Sequence, residues 1–202
     1  MKRRLSRVMG LTLILAAGLA SVACAEDYNK FGVRLRAVYV MPVETIDGRL
    51  SSLHLKVDDN VIPGVDLEYF FTKNISTEVF AAVTKHEIKS SGNVVGSTWL
   101  LPPTLTVKYH PLAGSTVSPY LGAGGNITFP FESRLSGVSD FSVHNSVGWV
   151  AQLGTDIKIK DNVYFNLDYK YVNVNTKMRV AGERYKLNLN PNLFGVGLGY
   201  RF

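Results

Sequence analysis

Ten ionisable side chains and one glutamine stand at every-second positions within otherwise apolar runs: Arg34, Arg36, Asp66, Glu68, Glu78, Lys108, Gln152, Asp156, Asp168, Lys170 and Arg201. Five are cations and five are anions, so the chemistry open to them is mutual pairing inside an enclosed, water-poor space. Buried charges survive only when paired and hydrogen-bonded. Side chains spaced this way share one face of each strand that carries them, because a strand sends successive side chains to opposite faces.

A second feature is Pro102-Pro103 in the run Trp99 to Tyr109. Two adjacent prolines remove two backbone donors, and proline within a sheet belongs at edges, first residues or bulges. In the wall of a closed barrel the pair leaves partner carbonyls unbonded, at several kcal/mol each in lipid unless water or protein meets them. Either the pair lies above the membrane, where water solvates the gap, or it is a seam through which an apolar solute leaves sideways.

The histidines, His54, His86, His110 and His144, lack the i, i+4 spacing of a helical metal site and lie in or beside connectors. They read as solvated loop residues. Ser142, His144 and Ser146, with Asp140 nearby, share a face if their loop is extended. A nucleophile needs a base within hydrogen-bond reach and a third group to orient it, and a serine-rich loop is weak support for hydrolase chemistry. Glu44, Asp47, Asp58 and Asp59 make the first long connector acidic and read as solvated. Gly122 to Gly125 is no phosphate cradle, since no helix follows it. Neither a metal nor a cofactor is called for.

The elements that must position these residues are eight alternating runs, most of about the 9–11 residues that a tilted membrane strand needs. They are Phe31–Tyr39, Val61–Phe71, Ile75–Lys85, Trp99–Tyr109, Pro119–Phe129, Val147–Ile157, Val163–Tyr171 and Asn192–Phe202. In the last, Phe194, Val196, Leu198, Tyr200 and Phe202 alternate with Gly195, Gly197, Gly199 and Arg201. A bare glycine face turned to water weakens a strand, whereas apolar residues toward lipid and small or polar ones toward a crowded lumen make sense of it. Slipping the first run by one residue would turn Arg34 and Arg36 toward lipid, at about 2–4 kcal/mol each near the midplane. Tyr39, Tyr69, Tyr109, Tyr169, Tyr171 and Tyr200 read as interface anchors. The connectors alternate: long and polar at 41–60, 87–98, 130–146 and 176–184, short at 72–74, 111–118 and 160–162. Long on one side and short on the other is the build of an antiparallel outer-membrane barrel with its long loops outside the cell. A small soluble barrel has similar periodicity but fills its inside with apolar residues.

The front end fits export. Lys2, Arg3, Arg4 and Arg7 precede an apolar stretch from Val8 to Leu19, and Ala23-Cys24-Ala25 offers a small-x-small cleavage site. Residues 1–25 read as a cleaved signal peptide and 26–202 as the barrel domain. A retained helix would be marginal in length, and Ser21 to Cys24 is a poor lipoprotein box. With 22 basic and 16 acidic residues the formal charge is +6; without the four leader cations it is 18 − 16 = +2. That excludes a nucleic-acid reading from charge. Cys24, the one cysteine, leaves with the leader, so disulfides and thiolate metal sites are excluded for the mature chain.

Several stretches resemble the OmpW family of small outer-membrane barrels. They are Val33 to Val40, Tyr69 to Ile75, Trp99 to Leu105, Pro119 to Gly124 and Gly195 to Phe202. Leu100-Leu101-Pro102-Pro103-Thr104 is the most specific. The resemblance implies an all-β, eight-stranded antiparallel transmembrane barrel with a narrow, partly apolar channel for small hydrophobic compounds. It also implies a lateral opening near a wall proline, here Pro102 or Pro103. Tyr200 and Phe202 resemble the terminal signal by which the barrel-assembly machinery recognises its clients. The expected partners are outer-membrane lipid, that machinery and a small hydrophobic solute, with no nucleic acid. The alternatives are a structural or surface-interaction barrel with a plugged lumen, and a lipid-modifying hydrolase around His144.

Overall fold

The computed structural model describes residues 29–46, 55–57, 59–90, 93–135, 141–180 and 183–202. The leader, Cys24, His54, Asp47, Asp58 and Asp140 lie outside them. Among the described residues all helical or extended structure is strand. In chain order the strands are β1 (Phe31–Met41), β2 (Glu44–Ile46), β3 (Leu55–Val57), β4 (Asn60–Phe70), β5 (Ile75–Ala82), β6 (Thr84–Ser90), β7 (Asn93–Leu101) and β8 (Thr104–Tyr109). There follow β9 (Val117–Leu135), β10 (Phe141–Val143), β11 (Ser146–Lys160), β12 (Val163–Val172), β13 (Asn175–Val180), β14 (Glu183–Leu189) and β15 (Asn192–Arg201).

Eight of these form an antiparallel barrel in the order β1, β4, β5, β8, β9, β11, β12, β15. Pairing of β9 with both β8 and β11 joins the ends of the sheet, and β15 pairs with β1 to complete the ring. Each of the eight strands is thereby hydrogen-bonded to a neighbour on both sides, the arrangement that hydrocarbon favours. The seam between the first and last strands is finished by Phe31 and Phe202, which exchange N–H···O bonds of 3.0 and 2.8 Å.

Alternation decides the faces. Leu35, Val61, Val79, Leu105, Leu121, Val147, Leu153, Leu167, Val196 and Leu198 lie exposed on the outer surface, Leu35 at 64% and Val147 at 75%. Most of their neighbours one residue away are buried within the ring. An exposed apolar belt with a charged interior is the inverse of a soluble barrel.

At one end β4–β5, β8–β9 and β11–β12 are joined by short turns at 71–74, 110–116 and 161–162. At the other end the chain continues as strand. β6 and β7 form a hairpin beyond β5 and β8, β9 runs on to Leu135, and β10, β13, β14 and β2 make a separate four-stranded sheet. The connectors read as polar loops therefore hold much paired backbone. The Trp99–Tyr109 run, expected as one strand, is divided at Pro102-Pro103 into β7 and β8.

Candidate functional site: the barrel interior and its wall

The interior has two zones. Toward the short-turn end, β1 contributes Arg34 and Arg36, β4 contributes Asp66 and Glu68, and β5 contributes Glu78. Lys108 comes from β8, Gln152 and Asp156 from β11, Asp168 and Lys170 from β12, and Arg201 from β15. All are buried except Arg201, which is partly so.

Glu78 is the hub. Its Oε2 lies 3.1 Å from Arg34, 3.3 Å from Arg36 and 2.9 Å from Lys108 Nζ, while Oε1 lies 3.0 Å from Lys170 Nζ. Arg34 also reaches Glu68 and, at 2.9 Å, Asp156. Arg36 meets Asp168 at 3.0 Å. Its Nε stands 2.9 Å from Asp66 Oδ2 without hydrogen-bond alignment, so that contact is ionic only. Lys108 bonds Glu68 at 2.9 Å, Lys170 bonds Asp168 at 2.7 Å, and Arg201 bonds Asp156 at 2.5 Å. Five cations balance five anions, so the ionic layer is electrically neutral.

Neutral groups complete it. Gln152 Nε2 donates to Glu78 at 3.0 Å and to Asp168 at 2.7 Å, and its Oε1 accepts from Thr106 at 2.8 Å. The Tyr120 hydroxyl donates to Asp168 at 2.6 Å and accepts from Asn166 at 3.0 Å. Lys108 Nζ sits 3.8 Å from the centre of the Tyr120 ring, close enough for a cation–π contact. Below these, toward the short turns, His110 packs between the rings of Phe70 and Tyr120, and Arg201 covers Phe70 and Tyr164.

His110 corrects the expectation of a solvated loop histidine. It follows β8 directly, is 1% exposed, and its Nε2 lies 3.1 Å from Ser76 Oγ and 3.4 Å from Glu68. Burial lowers its pKa from the ordinary value of 6.5, against the opposing pull of Glu68. Nothing in the residues around His110 marked it for burial except its even position in the Thr104-Thr106-Lys108 series.

Toward the long-connector end the interior holds an apolar cluster, with buried Thr84, Thr104, Asn126, Thr128 and Ser146 at the same end. Val38, Val40, Ile62, Phe80, Ala82, Val150, Val172, Val174 and Leu193 form one cluster, with Val143 and Tyr185 packed against it. Sequence alternation gave no warning of this zone, yet a signal existed. At the same ends of the runs both alternate sets turn apolar, as in Ala37-Val38-Tyr39-Val40 and Val79-Phe80-Ala81-Ala82. A run apolar on both faces is a strand buried on both.

The wall is interrupted beside this zone. The β5–β8 ladder ends at Phe80↔Thr104 and the β6–β7 ladder resumes at Thr84↔Leu100, in the same register. The positions between, 81–83 and 101–103, are omitted from both. On the other flank the β4–β5 ladder stops at Gly64↔Ala82, so that Pro63 would be next, opposite Val83. Pro102-Pro103 stays attached to β9 by one bond, from Ile127 N–H to the Pro103 carbonyl at 3.2 Å. In that register Pro102 and Pro103 stand opposite Ala82 and Ala81, and Pro63 stands opposite Val83, which belongs to neither β5 nor β6. In the sequence Pro63 reads as one more outward residue of an unbroken apolar alternation.

The Ser142–His144–Ser146 constellation does not assemble a nucleophile. Ser146 is buried in the barrel with no hydrogen-bond partner for its Oγ, while His144 is exposed. Among the first-connector acids, Asp59 accepts a 2.5 Å hydrogen bond from the Tyr39 hydroxyl.

The family model described as OmpW family matches residues 13–202. Outer membrane protein W of Vibrio cholerae is 33% identical over 214 aligned positions, covering 96% of this chain and 98% of that protein. The crystal structure of the outer membrane protein OprG from Pseudomonas aeruginosa superposes with a TM-score of 0.77 at 24% identity, over 86% of this chain and 96% of that one. The NMR structure of Escherichia coli Outer Membrane Protein W gives a TM-score of 0.61 at 28% identity, over 88% and 100%.

Proposed function

The chain belongs to the OmpW family of outer-membrane β-barrels, and from that premise we propose that it conducts small apolar solutes from outside the cell into the bilayer through its wall. A solute entering among the long connectors meets the apolar upper interior. It then reaches an ionic floor in which every charged group is paired. Crossing that floor would mean stripping several ion pairs of their partners, at about 3–5 kcal/mol for each broken buried pair. The sideways route is cheaper: Phe80 and Ala82 line the inside at the height where the wall loses its ladder, and Val83 faces the hydrocarbon.

The observation that carries this reading is the ladder gap at residues 81–83 and 101–103, adjoining the apolar zone. Replacing both Pro102 and Pro103 by alanine restores two donors and is expected to lower uptake of an apolar tracer into proteoliposomes while the barrel stays folded. Uptake equal to that of the unmodified protein would refute lateral release.

The neutral, fully paired floor also favours a second reading, a barrel with a plugged interior whose outer surface does the work. A conduit makes liposomes take up apolar tracer; a plugged barrel leaves them unchanged.

A further inference from the structure

The apolar cluster of the upper interior does not run all the way round the ring. Among the described residues, none of its members comes from β8 or β9. Those two strands and the start of β11 place polar side chains there instead. Register sets Thr104 of β8 directly across from Asn126 of β9. Thr128, two residues further along β9, lies directly across from Ser146 of β11. Residues opposed in this way have Cβ atoms about 4.5–5.5 Å apart, so the four form one continuous stripe. In the ring order β9 stands four strands from β1, and β8 four strands from β15. The stripe therefore faces the side of the interior that carries Val38, Val40 and Leu193.

The stripe is buried, and its bonding is incomplete. Its four residues are between 2% and 5% exposed. Asn126 Nδ2 donates to Thr128 Oγ1 at 3.0 Å, whereas Thr104 Oγ1, Asn126 Oδ1 and Ser146 Oγ have no hydrogen-bond partner. A buried polar group without a partner is costly, and folded proteins keep few of them. Apolar residues fill the corresponding zone on the facing strands, so packing alone does not call for hydroxyls here.

The stripe also has a direction. Ser146 opens β11 at the long-connector end. Thr104 opens β8 immediately after Pro103, on the rung with Phe80 where the ladder gap begins. Polar groups thus lead from the mouth of the barrel to the interruption in its wall.

Their chemistry selects the ligand. A hydroxyl both donates and accepts, an amide oxygen accepts, and none of these groups is charged. A hydroxyl on a solute can donate to Asn126 Oδ1 while accepting from Thr104 or Ser146. A pure hydrocarbon leaves all three atoms unpaired, and an ionised carboxylate finds no cation in the stripe to offset its lost hydration.

We propose that the stripe Thr104, Asn126, Thr128 and Ser146 binds the hydroxyl end of a neutral amphiphile, such as a medium-chain alcohol, whose chain lies on the apolar wall opposite. This rests on the reading of the barrel as a conduit for small apolar solutes, and it names the polar group that such a solute carries.

The test uses the full mature chain folded in zwitterionic nanodiscs, with the side-chain amide of Asn126 followed by NMR. The probes are 1-octanol, n-octane and octanoate, compared at equal mole fraction in the lipid. Octanol is expected to shift the Asn126 signals saturably, at a mole fraction about three- to tenfold lower than octane needs, as one neutral hydrogen bond would give. T104V/S146A removes two hydroxyls that bond nothing else in the protein. Its urea midpoint should hold or rise, and octanol should lose its advantage over octane. Octane matching octanol, octanoate exceeding it, shifts that never saturate, or an advantage that survives in T104V/S146A would each overturn the assignment. So would signals unmoved by any probe, as a stripe held by water alone would give, or a lowered urea midpoint, which would assign the hydroxyls to the fold. Tracer uptake by the same protein in proteoliposomes separates the two ideas. Saturable octanol binding without uptake removes the conduit and keeps the site; uptake without a preference for octanol does the reverse.

Discussion

Arg34 on β1 lies directly across from Gly199 on β15, and a Cβ placed on that glycine would stand 2.8 Å from the arginine's Cγ. The neighbouring pair is built alike: Arg36 faces Gly197, where a Cβ would meet Arg36 Cγ at 2.7 Å and the Leu35 carbonyl at 2.3 Å. The glycine face of the last strand is thus the space through which both arginines reach Glu78.

Gly199→Val is accordingly expected to push Arg34 from its carboxylates. Overpacking alone costs about 1–3 kcal/mol, and the displaced ion pairs add to it. Urea titration followed by the gel mobility of folded and unfolded barrel should show a lower midpoint. A midpoint matching the parent would mean that the arginine has another route.

Glu78 touches Arg34, Arg36, Lys108 and Lys170, so its replacement strands more charge than that of any neighbour. Glu78→Gln should destabilise the folded barrel by about 3–5 kcal/mol. It should also leave the floor with a net positive charge. Measured in planar bilayers, any residual current through that variant should favour anions over cations.

His110 gives the pH dependence a sign. Its folded-state pKa is lowered from 6.5 by burial, so the unfolded chain binds the proton more readily. By linkage, stability falls as pH drops below the ordinary histidine value and goes on falling until the lowered value is passed. Unfolding midpoints collected from pH 7.5 down to pH 5 should decline, and His110→Phe should flatten that part of the curve. An identical slope in the two proteins would place the responsible proton elsewhere.

Ala82 is 5% exposed and faces the apolar zone at the height of the ladder gap. Enlarging it to phenylalanine fills the inner mouth of the opening. Tracer uptake should fall severalfold relative to the parent, at a stability cost of about 1–3 kcal/mol. Undiminished uptake by a folded Ala82→Phe protein would shift the exit away from this point.

The barrel strands were legible because lipid outside and charge inside impose opposite demands on alternate residues. Leu35 beside Arg34 and Arg36 carries that signal in three letters. Above the membrane the demand disappears. Lys85 to Ser90 and Asn93 to Ser97 pair along β6 and β7 with one register shift between Ile88 and Lys89, yet water on one side leaves no apolar alternation to read. The proline pair was legible as an irregularity but not as a break, since Leu101 and Leu105 keep phase across it. His110 was misread because its partners, Ser76 and Glu68, come from strands far away in sequence.

The pairing of β1 with β15 has a consequence for how the molecule comes into being. No partial chain can form a ring: until the C-terminal strand arrives, a growing sheet displays two unpaired borders, each able to recruit a stranger. Contacts that distant in sequence also form late and slowly. A protein of this design therefore depends on being kept apart from its own kind between synthesis and insertion, until Phe31 and Phe202 meet.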